Sequence, residues 1–191
     1  MLNRLCRLIF FKWLGWRQIG PLPTEKKYLF VALPHTSNWD FVYGWLAIRS
    51  LELNVTIFAK DVFFIWPLNY VCRFFGVAPV NRRKSTNFVD SIAAQYRQTD
   101  ELAALITPEG TRKYQPRLKS GYYYLAKEAN IPIVVAGPNF ANKTFTLLPA
   151  RAPLPTFEED AAQLIEFCKT MTAKKPLFTF SKEQDEANKA S

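Results

Sequence analysis

Six successive apolar and aromatic residues, Tyr28-Leu29-Phe30-Val31-Ala32-Leu33, run into Pro34, and Thr36, Ser37 and Asn38 follow at once. So short and β-prone a run reads as a buried strand, and the proline stops it. The three polar residues are N-cap candidates for a helix from about Trp39 to Leu51. A strand that hands over to a helix through a short loop constrains the fold, and the same handover recurs. Strand-like runs at Asn54–Ala59, Val77–Asn81, Leu102–Thr107, Ile131–Ala136 (closed by Gly137-Pro138) and Thr144–Leu148 are interspersed with helical segments. The helices are expected at Val62–Phe75 (begun or interrupted at Pro67), from Ser85 or Thr86 through Tyr96, at Gly121–Ala129 and at Glu158 to about Thr172. Strands separated by helices predict an α/β fold with a largely parallel or mixed sheet.

In such sheets, sites form where a strand ends and a helix begins. His35 occupies that place, and it is the only histidine in the chain. An imidazole titrates near neutrality, so it can take a proton from a hydroxyl and return it within one turnover. Asp40, five residues on, is the candidate orienting carboxylate. A second loop, Pro108-Glu109-Gly110-Thr111-Arg112, follows the run Leu102–Thr107 and also sits at a predicted strand end. There Gly110 permits a tight turn that exposes N–H groups, Thr111 adds a hydroxyl and Arg112 a planar fork, a set suited to an anion. Lys113, Arg117 and Lys119 add positive charge around it.

The pairing of His35 and Asp40 with Pro108-Glu109-Gly110-Thr111-Arg112 about seventy positions later resembles the glycerolipid acyltransferases, the 1-acylglycerol-3-phosphate acyltransferase family. Gly76 through Arg82 is similar to that family's phosphate-contacting segment, and Lys119-Ser120-Gly121 and Ile131-Pro132-Ile133-Val134 are similar to two later blocks. The resemblance spans roughly residues 28 to 150, in family order. Thr107, Lys113 and Val135 depart from it, where an aromatic, a serine and a second proline are common. These departures leave the reaction class intact and the head group open.

The resemblance implies a glycerol-phosphate-acyltransferase-like fold. It also implies transfer of a fatty acyl group from acyl-CoA or acyl carrier protein to the free hydroxyl of a lysophospholipid, foremost 1-acylglycerol-3-phosphate. His35 would then be the base and Asp40 its orienting partner. Arg82 and Arg112 would grip the acceptor phosphate, with hydrogen bonds from Thr111 and the Gly110 backbone. Glu109 would accept from an acceptor hydroxyl or hold the arginines. No metal or tightly bound cofactor is implied beyond the thioester co-substrate. Two alternatives stand beside this reading: another lysolipid acceptor such as lyso-ornithine lipid, and a non-catalytic basic module that binds lipid or RNA.

The 191 residues suit one domain with a sizeable core. Three cysteines, Cys6, Cys72 and Cys168, form neither a disulfide framework nor a zinc spacing, which fits a reducing compartment. Lysine and arginine outnumber aspartate and glutamate by 25 to 16, a surplus that attracts nucleic acid, anionic lipid or anionic substrate alike. The 16 Phe, 8 Tyr and 5 Trp decide among these, because they cluster in continuous runs instead of alternating with basic residues. That pattern suits a core or an acyl-chain groove, so no nucleic acid is expected.

No charge-free stretch is longer than Ala129 to Asn142, too short to span a bilayer. Residues 1–19 lack the apolar run and cleavage site of a signal peptide and are expected to be retained. They are expected to form an amphipathic helix on an anionic membrane surface, with Leu2, Leu5, Ile9, Trp13 and Trp16 as its apolar stripe. The alternative is packing of the same helix on the domain's own core. Residues 20–180 would be the acyltransferase domain and 181–191 a polar tail, the whole cytoplasmic and peripheral on the inner face of the membrane.

Overall fold

The structure, a computed structural model, describes residues 1–60, 68–80 and 88–180. Arg82, the neighbouring Arg83 and Lys84, the first residues of the expected Val62–Phe75 helix and the 181–191 tail lie outside the described residues. In chain order the elements are α1 (Leu2–Arg7), a π-helical segment Leu8–Trp13, β1 (Arg17–Ile19), β2 (Lys27–Ala32), α2 (Asn38–Ser50), β3 (Val55–Lys60), α3 (Leu68–Phe74) and β4 (Val77–Val80). They continue as α4 (Phe88–Gln98), β5 (Leu102–Ile106), α5 (Gly121–Ala129), β6 (Ile133–Asn139), β7 (Thr144–Leu147) and α6 (Phe157–Thr170).

One sheet carries the fold, with strand order β1-β7-β6-β2-β5-β3-β4. Every pairing is parallel except β6 with β7. Alternation along β2 divides the interior in two. Leu29, Val31 and Leu33 face a core closed by α4, α5 and α6, whereas Tyr28 and Phe30 face a second core under α2 and the N-terminal segment. The sheet is therefore sandwiched between helices, as an unbroken apolar strand demands. Tyr96 pins α4 across it: its buried hydroxyl donates to the Tyr28 carbonyl and accepts from the Ala104 N–H, at 2.7 and 2.9 Å.

Two stretches depart from the sequence reading. The N-terminal helix ends at Trp13, not near residue 19, because Gly15 takes a left-handed φ of 69° and turns the chain back. Arg17–Ile19 then adds a short edge strand parallel to β7, with Arg17 opposite Thr144. That turn drives Trp16 into the core, where its ring meets those of Phe10, Tyr43 and Phe140 at 5.5, 4.8 and 5.3 Å between centroids. The second departure is β6, which passes through Gly137-Pro138 to Asn139. Proline is tolerated there because β2 pairs only as far as Ala136, and Pro138 faces Phe145 of β7 alone.

Candidate active site

The two loops singled out in the sequence leave the C-terminal ends of neighbouring central strands. β2 and β5 pair in register with Val31 opposite Ile106, so the residues that follow each strand emerge side by side. His35 and Glu109 meet for that reason, although 74 positions separate them: the His35 backbone N–H donates to Glu109 Oε2 at 2.5 Å.

Asp40 is set by the start of α2. Ser37, one of the three cap candidates, is the N-cap, its Oγ accepting from Trp39 N–H at 3.0 Å. Asp40 stands at the third helical position and completes a capping box. Its Oδ2 accepts from the Thr36 and Ser37 N–H groups at 2.5 and 2.7 Å and lies 3.6 Å from His35 Nδ1, an ion-pair distance longer than a hydrogen bond. Burial pushes the His35 pKa below its ordinary value, against the pull of the Asp40 carboxylate and with a push from Arg112. The imidazole is thus neutral at neutral pH and able to accept a proton, and a Nδ1–H turned to Asp40 leaves Nε2 free as the base. Burial also raises the Asp40 pKa, opposed by the Ser37 and Thr36 N–H groups and by His35.

Glu109 differs from its expected role. The side chain is buried, and both carboxylate oxygens are held by the protein: Oε2 by His35 N–H, Oε1 by the Thr179 hydroxyl. It faces inward and ties the second loop to the first. Gly110 has φ 65°, and its N–H, expected among the anion donors, bonds instead to the Thr107 carbonyl at 3.0 Å. The Lys119 side chain lies across Gly110, with Nζ 2.6 Å from where a Cβ would stand. Thr111 Oγ1 accepts from Lys113 N–H, and Arg112, Lys113, Arg117 and Lys119 are all exposed; of these Lys119 lines the cavity described below and the Arg112 charge reaches His35. Lys119, which the sequence offered as one member of a basic surround and of the Lys119-Ser120-Gly121 block, therefore belongs to the site. Among the described residues no group of three His, Cys, Asp or Glu side chains is arranged to hold a metal ion.

Burial raises the Glu109 pKa to about 7, in opposition to the Thr179 and His35 hydrogen bonds and with help from Asp40. A carboxyl whose folded pKa exceeds its unfolded value binds more protons in the folded state, so stability is lost as pH rises from about 4.5 to about 7. The loss through this group is about 3 kcal/mol. Glu109→Gln, which stays neutral, is therefore expected to melt higher than the wild type at pH 8 and level with it near pH 4.5. A melting difference equal at both pH values would show that Glu109 ionises freely in the fold.

Beneath His35 and Asp40 a cavity of about 610 Å³ runs into the protein. Phe41, Trp45 and Ile48 of α2 form one wall, and Phe30, Ala136 and Phe145 on the sheet form the other. His35 and Asp40 thus stand where a mostly apolar cavity opens, with Lys119 on its lining and the Arg112 charge beside the imidazole.

The family model described as acyltransferase matches residues 17–137, which include both loops. The solved structure of a 1-acyl-sn-glycerophosphate (LPA) acyltransferase, PlsC, from Thermotoga maritima is similar with a TM-score of 0.57 and 15% sequence identity. The match covers 88% of this chain and 77% of that one. At that identity the likeness is one of fold. A search of curated protein sequences gives no match.

Proposed function

Since the chain belongs to the acyltransferase family, we propose that it transfers a fatty acyl group from a thioester, acyl-CoA or acyl carrier protein, to the free hydroxyl of a lysophospholipid, foremost 1-acylglycerol-3-phosphate. One observation carries this reading. The His35–Asp40 pair stands at the mouth of an apolar cavity with cationic side chains on its rim, which accommodates an acyl chain below and a phosphate above. His35 Nε2 takes the proton from the acceptor hydroxyl as its oxygen attacks the thioester carbonyl. The tetrahedral intermediate collapses with cleavage of the C–S bond, and the departing thiolate receives the proton from the imidazolium. No acyl-enzyme forms. Asp40 stabilises the imidazolium while it exists.

Acyl-CoA with lysophosphatidate is expected to release free thiol and form phosphatidate, and a panel that includes lyso-ornithine lipid tests the head group. No thiol from any acceptor or donor would leave a binding module. Arg112→Ala is expected to raise the KM of the acceptor about tenfold or more and that of the donor little, because a charge-assisted bond to phosphate is made in the ground state too. A rise confined to the donor would reassign the rim to the phosphates of CoA. Arg82 is proposed to share this work.

We further propose that the protein works at an anionic membrane surface. No helix among the described residues is long and apolar enough to cross one. The N-terminal segment instead has two faces: Cys6, Phe10 and Trp16 are buried in the protein, while Leu2, Leu5, Leu8 and Trp13 are exposed beside Arg4, Arg7 and Lys12. Apolar insertion and attraction to anionic headgroups add together in such a segment. Removing residues 1–19 whole would uncover the core, so the cleaner test alters the outer face. Leu5→Ser with Trp13→Ser is expected to lower partitioning onto phosphatidylglycerol vesicles about tenfold or more with little change in melting temperature. Unchanged partitioning would move the docking surface elsewhere.

A further inference from the structure

The chain beyond α6 crosses the active-site end of the sheet. The Phe140 N–H bonds to the Thr172 carbonyl at 2.9 Å, fixing the segment to the end of β6. Three residues on, the Lys175 N–H donates to Thr36 Oγ1 at 3.1 Å, which joins it to the loop that carries His35. After a single 3-10 turn at Pro176–Phe178, Thr179 is 1% exposed, its hydroxyl donating to Glu109 Oε1, and the ring of Phe180 meets that of Tyr114 at 5.7 Å in the basic loop. Among the described residues the segment thus touches the end of β6, the loop that carries His35 and the basic loop. It lies wholly outside residues 17–137, the stretch that carries the family's pattern.

We propose that Thr179 is a positioning residue for the acyl transfer, its hydroxyl fixing the Glu109 carboxylate that in turn holds the His35 backbone at the reaction centre. The proposal rests on the acyltransferase reading. The link has two hydrogen bonds and no slack: Thr179 to Oε1, and Oε2 to His35 N–H. Without the hydroxyl, Oε1 is a buried acceptor without its partner, and a carboxylate that turns to recover one withdraws Oε2 from His35. A base displaced by a fraction of an ångström loses rate without losing substrate affinity. A threonine is suited to this because its β-branched side chain has few rotamers once buried.

The test compares Thr179→Val, which keeps the shape and loses the hydroxyl, with Thr179→Ser, which keeps the hydroxyl. Valine is expected to lower kcat about tenfold to a hundredfold with both KM values within about twofold, and serine to restore most of it. Met171→Ala, in the same segment, is the control for mere loosening: it is expected to lower the melting temperature and keep kcat. On a Glu109→Ala background valine should cost nothing further, since the intermediary is gone. Selective 15N-histidine labelling gives one backbone amide signal, that of the only histidine. Its exchange with deuterium should accelerate about tenfold or more in the valine variant and not in the serine variant, a readout that needs no acyltransferase activity. Wild-type kcat or unchanged His35 exchange in the valine variant overturns the proposal, as does failure of serine to rescue or an equal valine cost on the Glu109→Ala background. If the valine variant does not fold, Thr179→Ala replaces it with the same outcomes. An inactive wild type sinks the acyltransferase reading and leaves the exchange result to decide whether Thr179 holds His35.

Discussion

His35→Ala is expected to lower kcat by about two to four orders of magnitude, the usual worth of a positioned general base. Binding of both substrates should survive, because neither the apolar tunnel nor the cationic rim depends on the imidazole. The chain has no second histidine to take over. Asp40→Asn should cost about as much, for a reason specific to this site. The Asp40 oxygen nearest His35 also accepts from the Thr36 and Ser37 N–H groups. If the amide oxygen keeps those two bonds, it still faces His35 Nδ1 but carries no charge to stabilise the imidazolium. If the amide turns the other way, the NH₂ group faces Nδ1 and favours the tautomer whose Nε2 carries a proton and cannot act as a base, and the helix start loses its acceptor. Initial rates of thiol release, with melting curves of each variant, check both expectations. Near-normal turnover in His35→Ala removes His35 from the chemistry.

The second large effect is on folding. Gly137 lies where β6 passes the end of β2, and an added Cβ would stand 1.6 Å from the Leu33 carbonyl oxygen and 2.7 Å from its carbon. Both obstacles are backbone, so no side-chain rotation relieves the collision. Leu33 is itself bonded to β6, its N–H to the Ala136 carbonyl at 2.9 Å. Gly137→Ala must therefore push β6 and β2 away from each other just before Pro34 and His35. We expect destabilisation of about 4 kcal/mol or more, seen as loss of soluble folded protein or a collapsed melting temperature. A variant with wild-type melting would show that the strands separate there at no cost.

Much of the frame was legible because its signals are local. The apolar run before Pro34, the cap residues after it and the two strand-end loops each lie within a few residues of what they specify. The contacts that finish the site are not of that kind. A carboxylate in a loop is usually exposed, which turns Glu109 toward a substrate on sequence grounds, and only the register of β2 against β5 aims it at His35. Trp16 fits a helical stripe by its spacing, but Gly15 breaks the helix and turns the ring inward. The edge strand Arg17–Ile19 is three residues long, too short for its alternation to be seen, and its partner lies over a hundred positions away. Residues 171–180 offered one faint sign, a threonine between Phe178 and Phe180, which marks a stretch that packs instead of trailing into solvent.

The capping box at Ser37 makes one oxygen answerable for two things at once. Asp40 Oδ2 closes the first turn of α2 and faces the His35 imidazole, so a molecule in which that turn frays leaves the imidazole unoriented. Such openings cost less than global unfolding and occur constantly at helix ends. On the proposed mechanism each one here is a momentary loss of activity, and kcat scales with the fraction of time the turn stays closed. Deuterium uptake at the Thr36 and Ser37 amides, both held by Asp40, thus gauges how much of a folded population is competent at any instant.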